Sequence, residues 1–149
     1  GMLVDFIIFG QNLVKHLSTM KRLLIFLISV IVFCGCDKPA IHFIGPPPVL
    51  DGSEQTVILN TDVKITSFRV KTHTSSGSAI ISNKFSEDGK TLTCEDTWFK
   101  AVVDNVTGKR IVLTVKKNDR DSDRQLAITV QHLCFESATM EIVQPAQSL

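Results

Sequence analysis

From Arg110 to Gln144 the chain alternates between apolar and polar residues, and that alternation limits its fold more than anything else in the sequence. In Ile111-Val112-Leu113-Thr114-Val115 the odd positions are large and apolar; in Leu126-Ala127-Ile128-Thr129-Val130 the even positions are. Side chains leave a β-strand on opposite faces with period two, so each segment reads as a half-buried strand. Between them Lys116 to Arg124 contains no apolar residue and reads as the exposed loop of a hairpin. Met140 and Ile142 supply a further alternating strand that ends at Pro145. An isolated hairpin is marginal in water, so its apolar face needs a second sheet built from the preceding residues.

Those residues offer short strands at close intervals. Thr56 to Asn60 is the first expected strand. Val63 to Thr72 is the second, with a bulge where the apolar phase passes from Val63 and Ile65 to Phe68 and Val70. Ser75-Ser76-Gly77 is a turn, Ala79 to Phe85 a third strand, and Glu87-Asp88-Gly89-Lys90 a hairpin signal. Leu92 to Cys94 and Trp98 to Val103 follow, and Asn105 to Gly108 turns the chain into the opening unit. About seven short strands with polar turns and no helical period predict an all-β chain folded as an antiparallel β-sandwich.

The N-terminal third has a different character. Gly1 before Met2 reads as an expression scar, and Met2 to Thr19 as the product of an over-extended gene start or as a long leader. From Met20, Lys21 and Arg22 form a positive n-region, and Leu23 to Phe33 is an uncharged apolar run of signal-peptide length, short for a bilayer span. Phe33-Cys34-Gly35-Cys36 then resembles the lipobox of bacterial lipoproteins, whose invariant cysteine is lipidated and becomes the mature N-terminus. That resemblance implies lipidation at Cys36 and a membrane partner reached through the lipid. Left uncleaved, the apolar run predicts a signal helix that starts near Ser18-Thr19 and ends before Gly35.

After Cys36 the segment to Gly52 holds Pro39 and Pro46-Pro47-Pro48 and reads as a semi-rigid tether; within it Ile41 to Ile44 could pair at a sheet edge or stay disordered. The expected organisation is therefore a leader and signal segment over 1–36, a tether over 37–52 and a sandwich domain over 53–149. Setting Lys15, Lys21, Arg22 and Asp5 aside from the 16 Lys+Arg and 15 Asp+Glu of the chain leaves 13 against 14 from Cys36 onward. A balance near −1 offers no bulk attraction to nucleic acid.

Trp98, Gly108, the strand to Val115, then Asn118, Arg124, Ile128, Val130 and Ile142-Val143-Gln144 together resemble the BACON domain. That family is an immunoglobulin-like β-sandwich of secreted proteins of Gram-negative gut bacteria, often placed between a lipidated N-terminus and glycoside hydrolase modules. The resemblance implies an immunoglobulin-like fold and a cell-envelope address at the outer membrane or cell surface. It also raises glycan binding within a polysaccharide-utilisation system as an alternative role. Each matched residue has a ligand-free reading as well. Trp98 is a core plug, Asn118 bonds local backbone, Arg124 reaches the carboxylates of its turn, and Gln144 satisfies edge backbone groups.

Chemistry beyond this is sparse. Asp119, Asp121 and Asp123 alternate like the start of a calcium loop, but Arg124 stands where glycine is needed and Val130 where a bidentate glutamate is needed, so no metal is expected. His16, His42, His73 and His132 are scattered without ligand spacing, and no nucleophile elbow, phosphate loop or dinucleotide fingerprint appears. The expectation is a non-enzymatic chain without a cofactor. Cys94 and Cys134 lie in segments that could face each other, as a disulfide in an oxidising compartment or as reduced small hydrophobes. With no Tyr in the chain, the aromatic candidates for glycan contact are Phe99 and Phe135, both near turns, whereas Phe68 and Phe85 fall in core phases. The expected function is a membrane-anchored envelope lipoprotein whose sandwich serves structure or protein interaction.

Overall fold

A computed structural model describes residues 18–23, 41–104, 106–133 and 137–147 of the chain. It divides into two compact units, Gly1–Asp37 and Lys38–Leu149. In the first, residues 18–23 are helical and exposed, within the span over which the sequence predicts a helix. The rest of that predicted helix, the apolar run up to Gly35 and the lipidation candidate Cys36 lie outside the described residues. Among the described residues no helix is long and apolar enough to cross a membrane.

The second unit is an immunoglobulin-like antiparallel β-sandwich. Its strands are β1 (Phe43–Ile44), β2 (Gln55–Thr61), β3 (Ser67–Thr74), β4 (Gly77–Ser82), β5 (Lys84–Phe85), β6 (Thr91–Glu95), β7 (Phe99–Asp104), β8 (Arg110–Val115), β9 (Arg124–Gln131) and β10 (Ala138–Gln144). One sheet has six strands in the order β1-β2-β8-β7-β6-β5; the other has four in the order β10-β9-β3-β4. The alternating segments form as predicted but are not a hairpin pair. Ile111, Leu113 and Val115 of β8 point inward from the first sheet, and Leu126, Ile128 and Val130 of β9 point inward from the second. The charged loop crosses between the sheets, and the two apolar rows meet across the core instead of lying side by side. Phe68 and Val70, Leu92, Phe99, Ala101 and Val103, and Met140 and Ile142 complete that core.

Ten strands replace the predicted seven or so, in part because the segment from Ala79 to Phe85 divides between the sheets and because β1 joins an edge. The phase change after Val63 is not a bulge. The chain leaves the first sheet after Thr61 and enters the second at Ser67, and the corner is held by Thr61 Oγ1 donating to Val63 O at 2.8 Å and Ile65 N to Gly108 O at 2.7 Å. Ile65 plugs this corner and is fully buried. The predicted strand from Ala79 to Phe85 likewise splits at Asn83, whose side chain accepts from Phe68 N at 2.8 Å while its own N–H donates to Phe68 O at 3.1 Å. Asn83 thus ends the ladder on β3, and the chain passes to the opposite sheet as β5.

The predicted tether also needs correction. Ile41 is fully buried and Leu50 is 5% exposed, both within the core cluster, and β1 pairs with β2. Packing therefore begins before Gly52. Pro46 to Pro48 form no strand, and Ile44 and Val49 beside them are exposed, but Ile41 and Leu50 farther out on either side turn inward. His42 fixes the entry: its N–H and Nδ1 meet the two Asp62 carboxylate oxygens at 2.7 and 2.9 Å. Those contacts, the backbone N–H first, hold the Asp62 pKa below the usual carboxylate value.

Candidate functional site

Of the residues singled out by sequence, Cys36, Cys134 and Phe135 lie outside the described residues. Cys94 on β6 is buried and carries a free thiol, while Cys134, its candidate partner, lies outside the described residues. Cys94 Sγ donates to Ile81 O at 3.4 Å and Phe68 O at 3.7 Å. Burial pushes its pKa up to about 12, which leaves almost no thiolate at neutral pH and makes it a small apolar core group. Phe99 is 2% exposed. It follows the turn at Asp96–Trp98 as expected, but the phase of β7 sends Phe99, Ala101 and Val103 inward together, so glycan contact through Phe99 is excluded.

Four of the residues that carry the family resemblance, Trp98, Asn118, Arg124 and Gln144, lie at one end of the sandwich, whereas Gly108 lies at the Ile65 corner. Trp98 is 8% exposed; its ring meets Phe99 edge-on at 5.3 Å, and the Arg124 guanidinium lies 5.0 Å from its centroid. Arg124 does not reach the carboxylates of its turn: its Nη1 donates to Lys117 O at 3.3 Å, and burial followed by the nearby Arg120 lowers its pKa. Stacking on an indole suits a weakly hydrated guanidinium, which explains how a cation is accommodated here without an acid.

Asn118 is fully buried and joins three parts of the chain. Its Nδ2 donates to Ser122 O at 3.0 Å, Pro145 O at 3.1 Å and Gln144 O at 3.4 Å, its Oδ1 accepts from Arg120 N at 3.1 Å, and its backbone N–H donates to Gly52 O at 2.8 Å. Gln144, 1% exposed, donates from Nε2 to Lys116 O at 2.8 Å and Ser53 O at 3.4 Å. These amides replace the ladder partners that the backbone loses as it leaves the sheets. The cluster is a clasp for the entering segment, the β8–β9 crossing and the C-terminal strand, with its amide N–H donors turned to backbone carbonyls, while Gln144 Oε1 is buried without a hydrogen-bond partner among the described residues.

Among the described residues two open surfaces stand out as places for a partner, beside a smaller hollow of about 240 Å³ between Trp98, Arg120 and the start of β4. The first is a hollow of about 450 Å³ lined by Lys84, Phe85, Ser86, Thr93, Glu95 and Lys100, among others. Phe85 is 62% exposed there. The sequence pattern places this ring in the core, and the change of sheet at Asn83 is what turns it out; the polar run Ser82-Asn83-Lys84 inside the expected strand was the available signal. An exposed ring among hydroxyl, amine and carboxylate groups can stack on an apolar face and hydrogen-bond around it.

The second is the outer face of the four-stranded sheet. Register places Glu141, Ala127, Lys71 and Ile80 in one row across it and Val143, Gln125, His73 and Ser78 in the next. Small Ala127 leaves a shallow depression between the longer chains beside it. His73 Nδ1 lies 2.7 Å from Ser78 Oγ, a cross-strand hydrogen bond on an open face. Among the described residues no group of three or more His, Cys, Asp or Glu side chains could hold a metal ion.

Comparison with protein-family models gives no match, and comparison with curated proteins gives none either. Among solved structures the chain is similar to a Bacteroides ovatus GH5 xyloglucanase in complex with a XXXG heptasaccharide, at 12% identity and a TM-score of 0.46. That likeness covers 73% of this chain and 19% of the other, so the chain spans about a fifth of that protein. It is also similar to a protein from Bacteroides thetaiotaomicron whose structure was determined by NMR, at 11% identity and a TM-score of 0.48, over 77% of this chain and 93% of the other.

Proposed function

We propose that the chain is a lipid-anchored cell-envelope protein of a Gram-negative bacterium, at the outer membrane or cell surface, whose BACON-like sandwich serves as a structural or protein-interaction module. One observation carries the reading: a basic start at Lys21-Arg22 and an apolar run to Phe33 lead directly to Cys36. The first core residue, Ile41, follows five positions after Cys36, so an anchor there would hold the sandwich within ~17 Å of the acylated residue even with the link fully extended. Such a domain works close to its membrane. The reading assigns it no catalytic role and no cofactor.

The test is mass spectrometry of the protein from native membranes. Acylation at Cys36 with loss of residues 1–35 is expected, and Cys36→Ala should release the protein from the membrane fraction. An unacylated native chain that retains residues 1–35 would overturn the reading.

A second reading, a glycan-binding module, is favoured by the exposed Phe85 ring in its polar hollow. Affinity electrophoresis in gels containing soluble plant or host polysaccharides tests it. Retardation that Phe85→Ala abolishes supports it; no retardation in any gel removes it.

A further inference from the structure

The two sheets have four edges, and three are guarded. β1 and β5 are two residues long, the first followed by Gly45-Pro46-Pro47-Pro48 and the second containing Lys84. β10 carries Glu141 at its centre and stops at Pro145. Short strands, charges and prolines are the ordinary devices that prevent one sheet edge from joining another. β4 has none of them: Gly77-Ser78-Ala79-Ile80-Ile81-Ser82 is six residues long, uncharged and free of proline. Ile80 at its centre is 66% exposed.

The β3–β4 register fixes which hydrogen-bonding groups of this edge face outward. Asn83 N donates to Phe68 O, which makes Phe68 and Asn83 a hydrogen-bonded pair in the β3–β4 register. Hydrogen-bonded pairs alternate along an antiparallel ladder, so Val70 with Ile81 and Thr72 with Ala79 are bonded as well, and the N–H and C=O groups of Ser78, Ile80 and Ser82 point away from β3. Those three residues also read the same in either direction about Ile80.

We propose that β4 pairs with β4 of a second copy of this chain, antiparallel about a twofold axis at Ile80, so that two four-stranded sheets become one of eight. Ser78 then faces Ser82 of the second copy and Ile80 faces its own equivalent, and three pairs exchanging two bonds each give about six hydrogen bonds. Inside, Ala79 meets Ile81, a small residue against a large one. Electrostatics permit this pairing and oppose the alternative. The two Lys71 side chains stand three strand spacings apart, ~14 Å and beyond the ~8 Å screening length of physiological salt. The same operation on β10 would set Glu141 directly against itself. A six-residue edge is small beside the ~1,200–2,000 Å² of stable soluble complexes, so the pairing is concentration-dependent and is best read by trapping.

Directly opposed Ile80 residues in a hydrogen-bonded pair have Cα atoms about 5.5 Å apart, within disulfide reach. In the full chain with Cys34, Cys36 and Cys134 replaced by serine, Ile80→Cys should form a disulfide-linked homodimer at least tenfold faster than Ile58→Cys, which is exposed on the other sheet. Any association through residues 1–36 affects both variants equally, so the ratio isolates the edge. Ser78→Cys alone should not link, but mixed with Ser82→Cys it should. Ile80→Lys should raise the dimer dissociation constant at least tenfold in sedimentation while the melting temperature is unchanged. Equal linking of Ile80→Cys and Ile58→Cys would overturn the pairing. So would linking of Ile80→Cys to Glu141→Cys in place of itself, which would mean an open chain of copies, or protection of the β4 amides only on adding an extended peptide.

Discussion

Replacing Asn118 by alanine tests whether the clasp at the end of the sandwich holds the fold or only decorates it. The side chain has two N–H donors shared among three carbonyls and one oxygen that accepts from Arg120 N. Counting the two shorter donor bonds and the accepted one at ~1 kcal/mol net each gives a loss of ~3 kcal/mol. Orphaned carbonyls raise that figure if water cannot reach them, and the site is fully buried. For a domain of this size ~3 kcal/mol corresponds to a fall of about 12 °C in melting temperature. Asn118→Asp separates the donor from mere occupancy. It keeps the volume but turns a carboxyl toward three carbonyl oxygens, so its folded pKa must lie above the unfolded ~3.9. A raised pKa means that the acid is tolerated below pH ~4 and that stability is lost as pH rises through the folded value. Denaturant titrations followed by circular dichroism at pH 4 and pH 7 should therefore show Asn118→Asp closest to the parent at the lower pH. A loss below ~1 kcal/mol for Asn118→Ala, or a pH-independent deficit for Asn118→Asp, would refute the reasoning.

Three further outcomes follow from the packing. Removing residues 1–36 should leave the melting temperature of the sandwich nearly unchanged, as expected for a separate compact unit, whereas Ile41→Ala should cost ~2–4 kcal/mol by opening a core cavity, both read by calorimetry. Cys94 should resist a thiol reagent in the folded protein and react on unfolding. Because its folded pKa is raised, its contribution to stability is full below pH 9 and declines between pH 9 and about 12, a decline that Cys94→Ala should reduce. Gly52→Ala should destabilise by ~1–3 kcal/mol, since its new Cβ would lie 2.7 Å from Gln147 Cα, while the same change at Gly108 would strain a φ of +65° and push aside only the flexible Lys64 stem.

How much of this could be read from the sequence depended on whether the signal was local. The inward faces of β8, β9 and β10 follow from period-two alternation, because each such strand keeps one face in the core along its length. What failed were places where the chain changes sheet. Val63 and Ile65 looked like a bulged strand because a corner residue that plugs the core is apolar like a strand residue, and Phe85 looked like core because nothing in its own spacing records that Asn83 sends it to the other sheet. Ile41 and Leu50 were masked by the prolines between them, which forbid a ladder but not burial. Buried Asn118, Arg124 and Gln144 looked like surface residues, since polar side chains usually are; only the resemblance grouped them, and only the fold shows that they satisfy backbone in place of a ladder. The unguarded β4 edge became readable once the order of strands was known.

The clasp also gives the molecule a built-in optical gauge. The chain contains one Trp and no Tyr, so nearly all of its near-ultraviolet emission originates from Trp98, beneath the Arg124 guanidinium and against the edge of Phe99. An indole in that setting emits from a dry, positively charged environment, and loosening of the entering segment, the β8–β9 crossing or the C-terminal strand lets water reach it. The intrinsic fluorescence therefore reports on one end of the sandwich and is nearly silent about the other. The start of β4 is within its view, since Gly77 to Ala79 line the same hollow as Trp98, but a loss of structure at the Asn83 corner would leave the spectrum largely unchanged, and following that region requires a second chromophore placed by substitution.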